Sequence, residues 1–134
     1  MTSVAHTLSV TKRPLAGTGL TALGALFLTF DTIIKVRALA PAVQGTVQLG
    51  YEAGAVIWIG AIELVCLVLY LIPRTAVLGA LLLTGYLGGA VASHVRLGSP
   101  LFSHILFPIY IALLLWGGLY LRETRLRELV PFRR

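Results

Sequence analysis

Four long apolar runs, almost free of charged residues, restrict the fold of this chain more than any other feature. They cover residues 15–34, 53–72, 75–94 and 104–121. At a rise of about 1.5 Å per residue, each run as a helix can cross a hydrocarbon core about 30 Å thick. The runs lack the alternation of barrel strands, and a backbone in lipid must satisfy its own hydrogen bonds. The sequence therefore predicts an all-α integral membrane four-helix bundle.

The composition agrees with this fold class. The chain has 134 residues, of which 57% are hydrophobic and 12% charged, and this excludes an ordinary soluble domain. The net charge is +6, but the basic residues flank the apolar runs and indicate topology and lipid contacts rather than nucleic acid. We expect one membrane domain, 15–121, between an N-terminal tail, 1–14, and a basic tail, 122–134.

The distribution of lysine and arginine predicts the orientation. Three basic residues lie on one side of the expected bundle: Lys35, Arg37 and Arg96. Eight lie on the side of the termini: Lys12, Arg13, Arg74, Arg122, Arg125, Arg127, Arg133 and Arg134. The positive-inside rule then places both termini of a multi-pass inner-membrane protein in the cytoplasm. A cleaved signal peptide ending near Ala40 is the alternative, but the apolar run before it is too long.

Glu63 is the most unusual residue, because it lies near the middle of the second apolar run. A carboxyl group at that depth is costly, so it is usually neutral, paired or directed toward a polar cavity. Thr84 and Tyr86 of the third run lie at a similar depth and could hydrogen bond to it. Glu63 is therefore a candidate for proton transfer or ligand contact, or for a structural role that fixes the helix register.

Five further polar residues fall at one end of the expected bundle. Asp31 and Lys35 are four residues apart, so they share a helix face and can pair. His94 and Arg96 end the third run, and His104 begins the fourth. Histidines carry protons near neutral pH. They could also join Asp31 at a metal, but no ligand-spaced motif is present, and we predict no metal site.

The remaining features suggest packing rather than chemistry. Cys66 is the only cysteine, which excludes a dithiol mechanism within the chain. Gly85, Gly89 and Ser93 recur every four residues, a pattern that favours close helix approach. Tyr70 fits an aromatic belt at the membrane interface. The segment 35–52 is the only sizeable loop and could contain a short surface helix.

Several segments resemble the DoxX-like family. They are Phe27-Leu28-Thr29-Phe30-Asp31-x-x-x-Lys35, Leu49-Gly50-Tyr51, Gly60-Ala61-Ile62-Glu63-Leu64, Leu69 to Thr75, Leu83 to Arg96, and Phe102-Ser103-His104-x-Leu106-Phe107-Pro108. The resemblance implies a bacterial four-helix membrane protein. It also implies a link to quinones, since the family takes its name from a subunit associated with thiosulfate:quinone oxidoreduction. The matching polar positions are Asp31, Lys35, Glu63, His94, Arg96 and His104.

The leading functional hypothesis is a small membrane subunit of a quinone-linked redox system. In this hypothesis the apolar bundle holds a quinone, and a partner protein or a substrate supplies electrons. The candidates for proton handling are Glu63, Asp31, His94 and His104, and the candidates for ligand binding are Lys35, Arg96 and Tyr86. Whether the chain is itself an enzyme stays open at this point.

Two alternatives belong to other functional classes. A carrier for a small molecule would use Glu63 as a proton-coupled gate, with Arg96 and Lys35 attracting anions. Four spans are few for a carrier, so this hypothesis predicts a homo-oligomer. A membrane scaffold would use the buried charges only to specify helix pairing.

Overall fold

The apolar runs form helices, as lipid requires of a backbone that has no water to bond. The computed structural model describes residues 15–129. In chain order the elements are α1 (Leu15–Val36), α2 (Ala40–Gln48), α3 (Ala55–Leu71), α4 (Ala76–Arg96), a π-helical turn (Leu101–Ile105), α5 (Phe107–Arg122) and α6 (Thr124–Leu129). No strand occurs within this range, and the prediction of an all-α membrane bundle is confirmed. The tail 1–14 and residues 130–134 lie outside the described residues.

Within residues 15–129, three segments are long and apolar enough to span a membrane: Leu15–Val36, Ala76–Arg96 and Leu101–Arg122. The last includes the π-helical turn, so the segment begins three residues before the expected start at 104. The helical turn begins there because the carbonyl oxygen of Pro100 accepts hydrogen bonds from the backbone N–H groups of His104 and Ile105.

The helix α3 is shorter than its apolar run. It has 17 residues, or about 25 Å, which is slightly less than the thickness of a typical hydrocarbon core. It ends at Leu71 because Ile72 precedes Pro73 and adopts extended backbone, with ψ of 121°. Residues 72–75 then reverse the chain into α4.

The four long helices form a ring in the order α1, α3, α4 and α5. Each packs against the next, and α5 closes the ring by packing against α1. Neighbours are antiparallel. Thr21, early in α1, hydrogen bonds to Tyr70 at the end of α3, whereas Lys35, late in α1, bonds to Glu63 in its middle. The start of α1 and the end of α5 therefore lie at the same end of an up-and-down bundle.

The core is built from large apolar side chains of all four helices: Leu28, Leu67, Leu83, Leu115 and Leu119. Tyr70 belongs to this core. It is 1% exposed and donates its hydroxyl hydrogen to the carbonyl of Leu115 at 2.7 Å. The assignment of Tyr70 to an interfacial belt was wrong, since the helix crossing there buries the ring and offers a carbonyl to its hydroxyl.

Close helix approach uses different glycines from those expected. A Cβ added to Gly79 would overlap the backbone of Tyr70, so α4 contacts α3 there without a side chain between them. Gly85 and Gly89 face open space, with no atom within 4 Å of an added Cβ. The prediction that these two glycines mediate close packing was wrong within the described chain, because they line an open groove between α3 and α4 instead of contacting another helix.

Candidate functional site

The ammonium group of Lys35 is the centre of a buried polar network. Lys35 Nζ donates to Asp31 Oδ2 at 2.5 Å, to Glu63 Oε2 at 2.9 Å and to the Tyr86 hydroxyl at 2.7 Å. Tyr86 in turn donates its hydroxyl hydrogen to Glu63 Oε2 at 2.9 Å. We call Asp31, Lys35, Glu63 and Tyr86 the Lys35 network. It joins α1, α3 and α4 and uses all three ammonium hydrogens.

Local geometry brings these side chains together. Asp31 and Lys35 are one helical turn apart, which gives the expected i,i+4 ion pair. Gly60 allows α1 to approach α3 at this level, since an added Cβ would lie 2.7 Å from Lys35 Cβ. Glu63 is one turn beyond Gly60 and therefore meets the Lys35 side chain directly. The sequence predicted the Asp31–Lys35 pair but not the second ion pair between Lys35 and Glu63.

Glu63 is completely buried, with 0% exposure. Its Oε2 accepts two hydrogen bonds, whereas Oε1 has no partner among the described residues. Of the two expected partners only Tyr86 contacts it. Thr84 donates to the carbonyl of Ala80 and accepts from Trp116 instead, so the pairing of Thr84 with Glu63 was wrong.

A half-open cavity of about 480 Å³ lies beside the Lys35 network, at the end of the bundle covered by α2. Three members of the network line it: Asp31, Lys35 and Tyr86. Glu63 is absent from the lining and lies behind Lys35. Most of the remaining surface is apolar and comes from α1, α4 and α5, as with Phe27, Leu28, Leu87, Phe107 and Ile111. An apolar cavity with a few convergent polar groups is the usual form of a small-molecule site.

His94 and His104 also line the cavity. His94 lies in the last turn of α4 and His104 in the π-helical turn before α5, so the short connection between them brings the two rings together. Their ring centroids are 5.5 Å apart, with an angle of 69° between the planes. His94 Nδ1 pairs with Ser99 at 3.2 Å, and His104 Nδ1 pairs with Ser103 at 2.7 Å. This leaves Nε2 of each ring as the nitrogen for a ligand.

Two sets of polar groups therefore line one cavity: three members of the Lys35 network (Asp31, Lys35 and Tyr86) and the histidine pair. Within residues 15–129, no group of three or more His, Cys, Asp or Glu side chains could hold a metal ion. The chemistry that the cavity offers is hydrogen bonding and proton exchange with a largely apolar guest.

Arg96 lies outside the cavity lining, unlike the other candidate ligand residues. Its Nη2 donates to the carbonyl of Leu49 at 2.5 Å, at the end of α2. The next residue, Gly50, has a φ of +90° and lies close to the guanidinium, where a Cβ would be 2.8 Å from Nη2. Arg96 thus holds the end of α2 over the cavity.

The contribution of α2 was not visible in the sequence beyond its helical character. Ala42, Gly45 and Thr46 of this short helix line the cavity, together with Leu49 directly after it. Ala42 and Thr46 are buried, so α2 is a cover packed on the bundle rather than a free surface helix. Small and apolar residues carry no chemical signal, and only their position above the network reveals their part in the site.

Comparison with known proteins relates this site to a family. Neither a curated protein nor a solved structure matched the chain. The sequence matches the DoxX-like family over residues 19–118, a range that contains most of α1, all of α2 to α4, most of α5 and all the polar residues of the cavity. Because this match covers most of the chain, the protein is a member of the DoxX-like family.

Proposed function

We propose that the protein binds a lipid-soluble quinone in its cavity and acts as the membrane subunit of a quinone-linked redox system. The observation that carries this proposal is the arrangement of polar groups on an otherwise apolar cavity: Asp31, Lys35 and Tyr86 of the Lys35 network and the histidine pair all line it. A quinone ring is flat and apolar and bears two carbonyl oxygens on opposite sides. Such a molecule suits a site that is apolar between separate polar groups.

In this proposal the aromatic rings of the cavity hold the quinone ring. Phe27 and Phe107 contact each other edge to face, with centroids 5.1 Å apart, and both line the cavity. Nε2 of His94 or His104 donates to one carbonyl oxygen, and the Lys35 network faces the other. Glu63 does not touch the ligand, because Lys35 and Tyr86 lie in front of it.

Electrons come from a partner redox protein in this proposal. Cys66 is the only cysteine of the sequence, so the chain cannot form a dithiol of its own. The residues of the cavity bind the ring and exchange protons, while the partner transfers electrons. We place the protein in a bacterial inner membrane, as the family resemblance implies, and the charge distribution of the sequence supports a cavity on the outer side with both ends in the cytoplasm.

A cavity-filling substitution tests the binding of a quinone. Gly45 lines the cavity and has no atom within 4 Å of an added Cβ, so Gly45→Leu should fill the cavity without disturbing the fold. Gly88 is equally open but lines a separate groove between α4 and α5, and Gly88→Leu is the matched control. We expect wild type and Gly88→Leu to bind a short-chain ubiquinone analogue in lipid nanodiscs, and Gly45→Leu to bind it at least about tenfold more weakly.

Equilibrium dialysis measures this binding, and mass spectrometry of co-purified lipids identifies a natural quinone. Equal binding by all three proteins would move the ligand out of this cavity. No binding by wild type, in properly folded protein, would reject the quinone proposal.

A carrier is the second candidate, favoured by the position of Glu63 at the contact of three helices. A change in its protonation would alter the bonds that join α1, α3 and α4, as a proton-coupled gate requires. An anion-attracting entrance is not favoured, since Lys35 and Arg96 already bond within the chain. This candidate predicts proton-dependent uptake into proteoliposomes that Glu63→Gln abolishes, whereas a scaffold predicts a change in stability alone.

A further inference from the structure

We propose that the Lys35 network binds one exchangeable proton, which Glu63 and Asp31 share, and that it presents this proton to the cavity at Asp31. The inference deepens the proposed function by naming the group that faces the ligand. The proton count itself does not require a quinone and can be measured on the protein without ligand.

The Lys35 network contains more carboxyl groups than ammonium groups. Two carboxyl groups, Asp31 and Glu63, pair with the single ammonium group of Lys35. Tyr86 is the only other titratable side chain in the network and contributes a neutral hydroxyl. With both carboxyls ionised, the network would keep one negative charge in an apolar bundle, which is costly. One bound proton makes the network neutral.

The hydrogen bonds place this proton on Glu63 when no ligand is present. Glu63 Oε2 accepts from Lys35 and Tyr86, as a carbonyl oxygen of a neutral carboxyl can. Glu63 Oε1 is buried and has no hydrogen bond among the described residues. A negative charge on that oxygen would be unsolvated, whereas a proton on it removes the charge. Asp31 is 25% exposed at its side chain and lines the cavity, so its charge is less completely buried than a charge on Glu63 would be.

Exposure to the cavity identifies Asp31 as the exit. Asp31 lines the cavity, and Glu63 does not. Lys35 lies between them and bonds to both carboxyls. Transfer takes place when the Glu63 carboxyl group rotates so that its O–H faces Lys35 Nζ, which then releases one proton to Asp31 and takes the proton of Glu63. One N–H bond and one O–H bond break and one of each forms, so the lysine ends with three hydrogens, and the proton has moved to the ligand side.

Infrared spectroscopy of the unliganded protein in lipid tests the proton count. The carbonyl band of a protonated carboxyl is resolved from that of a carboxylate, and its small shift in D2O identifies it. We expect one protonated carboxyl in wild type and none in Glu63→Gln. We also expect none in Asp31→Asn, because the remaining Glu63–Lys35 pair is then neutral. Lys35→Met removes the ammonium, so this variant should show two.

Glu52→Gln is the matched control, since Glu52 is an exposed carboxyl in the connection after α2, and it should leave the wild-type band unchanged. Circular dichroism and gel filtration establish that each variant is folded. Absence of the band in wild type would overturn the inference. Its persistence in Asp31→Asn would also overturn it, because Glu63 would then be protonated through burial alone. The expected bands without quinone binding would leave this inference standing and reject the proposed function.

Discussion

At the scale of single residues, Lys35 combines structural and chemical roles. Its three hydrogen bonds join α1 to α3 and α4, and its side chain separates Glu63 from the cavity. A lysine inside a membrane bundle would be unstable without such partners. Because Lys35 lies between Glu63 and the cavity, Glu63 can affect a ligand only through Lys35 and Tyr86. In the sequence, by contrast, Glu63 is the more unusual of the two charged residues.

Tyr86→Phe tests how much the network contributes to stability. The substitution removes the acceptor for one Lys35 hydrogen and the donor to Glu63, while it keeps the aromatic ring. Interhelical hydrogen bonds in membranes contribute on average about 0.6 kcal/mol each, so we expect a loss of about 1–2 kcal/mol in the free energy of unfolding. Titration with sodium dodecyl sulfate in mixed micelles measures it.

Tyr110→Phe provides the control for this substitution, because Tyr110 is exposed on α5. Its effect should stay within about 0.5 kcal/mol. Equal effects of the two substitutions would mean that the hydroxyl of Tyr86 adds nothing to helix packing.

At the scale of the elements, the helix crossings decide which side chains meet. Gly60 brings α1 toward α3 at Lys35, and Gly79 brings α4 onto the backbone of Tyr70. The first crossing places Glu63 against the lysine, and the second fixes α4, which carries Tyr86. The glycines with open surroundings, Gly85 and Gly89, take no part in this packing.

Gly79→Ala should destabilise the bundle, because its methyl group would overlap the backbone of Tyr70. Overpacking of this kind costs about 1–3 kcal/mol. Gly89→Ala adds the same methyl group to the same helix in open space, and we expect a change of no more than about 0.5 kcal/mol. The same detergent titration compares the two variants, and an equally large loss in Gly89→Ala would indicate a partner on that face of α4.

At the scale of the whole molecule, an even number of antiparallel helices brings the start of the first long helix and the end of the last to the same end of the bundle. The start of α1 and the end of α5 lie side by side, so a membrane around the bundle would leave both on the same side. The cavity and α2 are at the opposite end. The surface of the long helices is rich in exposed large apolar side chains, as lipid contact requires.

Single-cysteine labelling tests the orientation. In a Cys66→Ala background, Gln44→Cys marks α2 and Thr124→Cys marks the start of α6, and both positions are exposed and uncharged. The positive-inside rule predicts that a membrane-impermeant maleimide labels Gln44→Cys in intact spheroplasts and Thr124→Cys only after permeabilisation. The reverse pattern would place the cavity on the cytoplasmic side.

The sequence by itself determined the fold class, the four apolar helices and the polar residues around which a site could form. These follow from local properties: the length of an apolar run, the cost of a charge in lipid and the i,i+4 spacing of Asp31 and Lys35. The family resemblance added the same polar positions. Only the tertiary structure decided that Lys35 bonds to Glu63, that Thr84 does not, and that Tyr70 is buried. These contacts depend on helix crossings and rotations, which small residues such as Gly60 and Gly79 set through close approach, and no local pattern encodes which helix lies opposite a glycine.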